Sequence, residues 1–163
     1  MKRAQYFWHL TKRTWGSYRA KPLTKHEQEE ITRILLPAEQ ELWNQFPVED
    51  QRHSYVVMKR FQAAMPHLDN EELRAALLHD IGKIMAPLST TMRVVATFVG
   101  PRTAAFRAYH DHEKLGLLLL EGCSSPATIE LLREMYEQEH LTGRGCDEIQ
   151  DPVVRALVEA DNV

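Results

Sequence analysis

Eight histidines stand among 163 residues, and four of them, His53, His79, His112 and His140, are spaced by 26, 33 and 28 positions. Each interval is about one helix plus a connection, so each imidazole can sit on a separate helix. A helical bundle builds a metal site in this way, projecting one or two ligands inward from each of several helices. Imidazole nitrogens with carboxylate oxygens suit zinc, iron, manganese or related divalent ions, and the lack of cysteine ligands argues against an iron–sulfur cluster. An isolated histidine is ordinarily a surface or hydrogen-bonded core residue, and His9, His26 and His67 are read that way.

The His-Asp dipeptide occurs twice, where chance composition gives about a third of one. His79-Asp80 follows the apolar stretch Ala75-Ala76-Leu77-Leu78, and burying an imidazole beside a carboxylate is costly unless something pairs with them, as a metal ion would. His110-Asp111 stands at a helix start, where Asp111 is explained as an N-cap. His110 is left between support of a ligand and the surface.

These residues need helices to position them, and the chain reads as helical throughout. Glycine and proline punctuate it at spacings suited to helices of about ten to fifteen residues, and no segment keeps a period-two alternation long enough for a sheet. Thr24 with Glu27 forms a capping box opening a helix through about Leu36, and Pro37 starts the next. A helix from Val48 to Met65 carries His53. Asp69 with Glu72 caps a stretch from Glu71 to Lys83 in which Leu73, Ala76, Leu77, Asp80 and Ile81 fall on adjoining turns, with Gly82 at its fraying end. Further starts are Ser89, Asp111, Ser125-Pro126 running to about Glu139, and Asp151-Pro152 running through Ala160. The expected fold is a single-domain, all-α bundle.

The length is one domain's worth, and with 44% hydrophobic and 26% charged residues the chain can bury a core without disulfide staples. No apolar run reaches the roughly 20 residues of a membrane helix, and no leader pattern opens the chain, so a cytoplasmic location is expected. Cys123 and Cys146 form no CxxC pair and are read as reduced thiols. The net charge of −3 is uneven: the first 25 residues hold seven basic groups and no acid, leaving −10 on the remainder. That basic segment, interleaved with Tyr6, Phe7, Trp8, Trp15 and Tyr18, is suited to a nucleic acid or an anionic membrane surface. The favoured reading is that its aromatics cover the domain's own core.

The string Leu77-Leu78-His79-Asp80-Ile81-Gly82-Lys83 resembles the signature of the HD domain superfamily of metal-dependent phosphohydrolases. His53 upstream, His112-Glu113-Lys114-Leu115-Gly116 downstream, His140 and Asp161 match in order the superfamily's bimetallic pattern H…HD…H…H…D. The resemblance covers residues 48–163; residues 1–47 are read as a basic, aromatic segment with helices packing on that domain. It implies an HD-type bundle in which His53, His79, Asp80 and Asp161 hold one ion and Asp80 bridges to a second held by His112 and His140. The implied cofactors are two divalent transition-metal ions, iron, manganese, zinc or nickel. The implied reaction is hydrolysis of a phosphoester or phosphoanhydride of a nucleotide or similar small substrate by a water that the two ions activate. Asp80 and Lys83 are the catalytic candidates, and Lys83, Arg144 and His110 the substrate-binding ones.

Lys83 reads equally as a cation near a helix C-terminus. Gly116, one turn after His112, leaves room for a neighbouring helix or a substrate. The HD-GYP subgroup's Gly-Tyr-Pro is missing, since Glu139-His140-Leu141-Thr142-Gly143-Arg144-Gly145 has no Tyr-Pro after its glycine, so cleavage of cyclic dinucleotides is not expected. Asp161 is expected on a final turn that frays unless a metal pins it. The alternatives are a non-catalytic, metal-containing module that senses a nucleotide or binds a protein, and a ferritin-like di-iron bundle. The latter needs two Glu-x-x-His pairs, and only Glu137 to His140 supplies one.

Overall fold

Capping chemistry sets the helix starts. In the computed structural model, which describes residues 21–85, 112–142 and 149–162 except for the side chains of 139–142, α1 (Lys25–Ile34) begins behind Thr24. The Thr24 amide donates to Glu27 Oε2 at 2.6 Å and the Glu27 amide to Thr24 Oγ1 at 3.3 Å, a reciprocal box that satisfies two otherwise orphaned donors. Pro37 opens α2 (Pro37–Trp43), where a missing N–H costs nothing. Pro47 precedes the 17-residue α3 (Val48–Ala64).

Asp69 caps α4 (Asn70–Leu78), its Oδ1 accepting from the Glu71 and Glu72 amides at 2.8 and 3.1 Å. A 3-10 helix (Ile81–Met85) follows, then α5 (His112–Leu120), α6 (Pro126–Thr142) and α7 (Pro152–Asn162). Asp151 caps α7 by accepting from the Val153 and Val154 amides at 2.7 and 3.0 Å. The fold is all-α, with no strand among the described residues, and none of the described helices is long and apolar enough to cross a membrane.

Helix α4 is the axis of the assembly. Leu73, Ala75, Ala76, Leu77 and Leu78 are all buried, so its C-terminal half is enclosed by the core. It packs against α3, α6 and α1, while α7 lies across α3 and α6, and α5 lies on the 3-10 helix and α6. Phe61, Met58, Leu120, Leu132, Met135 and Leu157 fill the space between them, and Ile31, Trp43 and Phe46 from before residue 48 belong to the same core. Each such side chain contributes about 1.5–3 kcal/mol of transfer free energy.

The expected helix from Glu71 to Lys83 is corrected. Helix α4 stops at Leu78, and the chain tightens into 3-10 geometry, with the Lys83 amide bonding the Asp80 carbonyl at 2.9 Å. The physical reason is contact with α5. A Cβ on Gly82 would lie 1.7 Å from the His112 carbonyl oxygen and 2.6 Å from the Gly116 amide nitrogen, so bare backbone meets backbone here. Gly82 is thus a packing position rather than a fraying end, and Gly116 makes room for this 3-10 helix.

Helix α6 runs on to Thr142 and α7 to Asn162, a few residues past the expected ends. The expected starts at Ser89 and Asp111 and the basic aromatic segment of residues 1–20 lie outside the described residues, as does Cys146.

Candidate metal centre

Three helix ends and the first half of another helix converge where α4 stops. His53 comes from the first half of α3, His79 is the C-cap residue of α4, Asp80 leads into the 3-10 helix, and Asp161 lies in the last turn of α7. Placing the His-Asp pair at a helix end, rather than inside one, lets both side chains turn into a common space. His53, His79 and Asp80 each offer a ligand atom, all within 4.8 Å of one another, and this group could hold a metal ion.

The separations are informative. His79 Nε2 lies 3.5 Å from Asp80 Oδ2 and 3.5 Å from Asp161 Oδ1, while His53 Nε2 lies 2.8 Å from Asp161 Oδ1 and 3.8 Å from Asp80 Oδ2. Donors bound tetrahedrally to one ion at about 2.0–2.2 Å stand roughly 3.3–3.6 Å apart, close to the middle of this range. His79 Nδ1 lies 2.9 Å from the Ala76 carbonyl. A carbonyl only accepts, so Nδ1 carries a proton, and the ring when neutral would present its lone pair at Nε2. That Nε2 is buried and makes no hydrogen bond. A buried polar atom in this state calls for an explanation, and an imidazole lone pair aimed between two carboxylates fits a divalent cation.

Asp80 has a second face. Its Oδ1 lies 3.1 Å from His112 Nε2, at the start of α5, while Oδ2 pairs with the buried Lys83 ammonium. Burial would raise the Asp80 carboxyl, but the charges of Lys83 and His79 and the contact with His112 hold it well below the carboxylate range. For His79, burial pulls the imidazole down, yet the negative charges of Asp80 and Asp161 outweigh it and push the pKa up to about 9. Without a metal, therefore, a proton on His79 helps hold the cluster together.

Of the sequence candidates, the structure brings together His53, His79, Asp80, Lys83, His112 and Asp161. Asp161 does not fray, since its Oδ1 is bonded to His53 and the neighbouring Ala160 carbonyl lies 3.4 Å from Arg60 Nη1. Lys83 is not a cation at the end of α4 but lies against Asp80. His140 is on the last turns of α6, with its side chain outside the described residues, and His110 and Arg144 lie outside them altogether.

One neighbour of the site escaped the sequence reading. The buried hydroxyl of Tyr136, on α6, donates to the His79 carbonyl. Its position one turn before His140 is the only signal the sequence carries of it. No protein-family model matches the chain, and comparisons with curated proteins and with solved structures found no significant match.

Proposed function

We propose that the chain is an HD-domain phosphohydrolase that holds two divalent metal ions and hydrolyses a phosphoester or phosphoanhydride of a nucleotide or similar small substrate. The observation that carries the proposal is the two-faced environment of Asp80: Oδ2 lies towards His53 and His79, and Oδ1 towards His112. A carboxylate with imidazoles on both oxygens is suited to bridging two ions.

Divalent ions bound there would polarise a phosphoryl oxygen and lower the pKa of a water. The protein's own part is to fix the donors. The Ala76 carbonyl sets the His79 tautomer, and Asp80 ties the two halves together. Lys83 sets an ammonium beside Asp80, where it can meet a non-bridging phosphate oxygen as a point charge.

The test combines turnover with a metal count. Protein loaded with Mn²⁺ or Fe²⁺ is assayed against a panel of phosphodiesters and nucleotides, and bound metal is measured by elemental analysis. Wild type is expected to turn over a member of the panel, Asp80→Ala to lose activity and both ions, and His112→Ala to lose mainly one ion. Equal metal content in Asp80→Ala and wild type overturns the bridging role. Two bound ions with no turnover favours a nucleotide-sensing module.

A further inference from the structure

We infer that Tyr136 is a positioning residue of the metal centre, its hydroxyl fixing the orientation of the His79–Asp80 peptide and so the direction of both side chains. The inference rests on the metal-binding part of the proposed function and concerns a residue that carries no ligand atom.

Helices α4 and α6 are joined at two places by side chains of α6. Near its start, the Thr128 hydroxyl lies 3.1 Å from the Glu71 carbonyl and 2.9 Å from Glu71 Oε2, and two turns later the Tyr136 hydroxyl donates to the His79 carbonyl. Both contacts link residues 57 apart in the sequence, so the helices run side by side in the same direction and in constant register. The second contact falls where α4 gives way to the 3-10 helix. There the backbone bond passes from the Lys83 amide to the Asp80 carbonyl, and the buried His79 carbonyl takes its proton donor from α6.

A buried carbonyl requires such a partner. Here the carbonyl belongs to the peptide that joins the two central donors, so its direction sets theirs. Rotation of that peptide would carry His79 Nε2 and the Asp80 carboxylate away from Asp161 and His53. Partners that orient ligands typically tune metal affinity by about 10–100-fold. Tyr136 also lies one turn before His140, so the same helix orients the His-Asp peptide and carries a further candidate donor.

The experiment compares Tyr136→Phe with Thr128→Val. Each keeps a buried side chain of similar shape and removes a hydroxyl bond between α6 and α4, at opposite ends of α4. Two readouts are taken: imidazole ¹⁵N spectra of the metal-free proteins, and Zn²⁺ affinity by calorimetric titration. Tyr136→Phe is expected to shift the His79 signals while leaving those of His26 in place, and to weaken Zn²⁺ binding by about tenfold or more. Thr128→Val is expected to lower the melting temperature with Zn²⁺ affinity unchanged. Wild-type affinity in Tyr136→Phe, whatever its melting temperature, overturns the inference. A wild-type chain that takes up no Zn²⁺ overturns the metal reading, and the metal-free spectra then decide the role of Tyr136, unchanged His79 signals refuting it.

Discussion

Helix α4 carries a buried ionic cluster at each end, and the two are built on opposite plans. At the N-terminal end, Arg74 donates from Nε to the Ile34 carbonyl at 2.8 Å and pairs through Nη1 with Glu71 Oε1 at 2.8 Å. Glu39, with no exposed surface, accepts from the Leu36 amide at 2.7 Å and from the Ser124 hydroxyl, and lies 3.6 Å from Arg74 Nε. Glu71 also takes the Ser125 and Thr128 hydroxyls, and these bonds, with Arg74, keep its carboxyl below the usual range despite burial. Donors and acceptors balance.

At the C-terminal end they do not. Two carboxylates and three imidazoles crowd together, and a nitrogen with no hydrogen bond points into their midst. Burial of charge is common to both ends and so marks neither as a site. What separates them is that the His79 end, even with Lys83 against Asp80, closes its balance only by protonating an imidazole, and with that ring neutral its spare lone pairs would suit a cation.

The sharpest way to break this contrast is Arg74→Ala. It strands Glu39 without its cation, and losing one partner of a buried ionic cluster costs about 3–5 kcal/mol. Urea denaturation should show that loss, while the folded fraction binds as much metal as wild type. Metal content falling in step with stability would mean that the two ends are one device.

The proton-held state of the His79 end gives a second, slightly smaller effect. A pKa raised to about 9 in the folded protein contributes stability that is fully present below the unfolded value near 6.5 and is lost as pH rises through 9. For the metal-free protein this amounts to up to about 3 kcal/mol. The lowered Asp80 works in the opposite sense, stabilising above its unfolded value and losing that contribution only as strong acid protonates it. Melting temperatures in EDTA should therefore fall between about pH 6.5 and 9. With Zn²⁺ bound the imidazoles must be neutral, so the fall should disappear. A flat profile in EDTA would show that His79 is neutral in the folded state.

What the sequence disclosed of these clusters follows from the range of the interactions involved. The caps at Thr24, Asp69 and Asp151 and the starts at Pro37 and Pro126 were legible because each acts within four residues. The candidate donors were legible as an ordered set of residue types, and their convergence was not, since it depends on how α3, α4, α5 and α7 pack. The end of α4 was misplaced for a related reason. From Ala75 to Leu78 the helix is apolar and buried throughout, with no polar face whose phase would reveal a change from 3.6 to 3 residues per turn. Glu39 gave no sign and Tyr136 only its place one turn before His140, because their partners lie tens of residues away in the sequence.

Gly82 tests whether the C-terminal cluster depends on that change of geometry. Alanine there sets its Cβ against backbone atoms, 1.7 Å from the His112 oxygen and 2.7 Å from its carbonyl carbon, and neither can rotate away. Helix α5 must retreat, at about 1–3 kcal/mol, and His112 retreats with it from Asp80. Elemental analysis of Gly82→Ala should find one ion retained and one lost. Gly116→Ala is the milder comparison, since its Cβ would meet the Gly82 amide nitrogen at 3.2 Å and ask the 3-10 helix to give only a few tenths of an ångström. Full metal content in Gly82→Ala would detach His112 from the site.

The smallest expected effect separates the two ends through the helix they share. Asp69→Ala removes the side chain that caps the Glu71 and Glu72 amides, at a cost of about 1 kcal/mol. The nine residues of α4 separate Asp69 from His79, which therefore lies roughly 15 Å from that cap, anchored independently by the Ala76 carbonyl and Tyr136. Fraying of the first turn should loosen Glu71 and its bonds to Ser125 and Thr128 without turning the imidazole. Chemical denaturation should thus register the substitution while Zn²⁺ titration does not. A matching drop in Zn²⁺ affinity would show α4 transmitting strain from end to end as a rigid lever, and the balanced cluster would then be part of the metal centre's support.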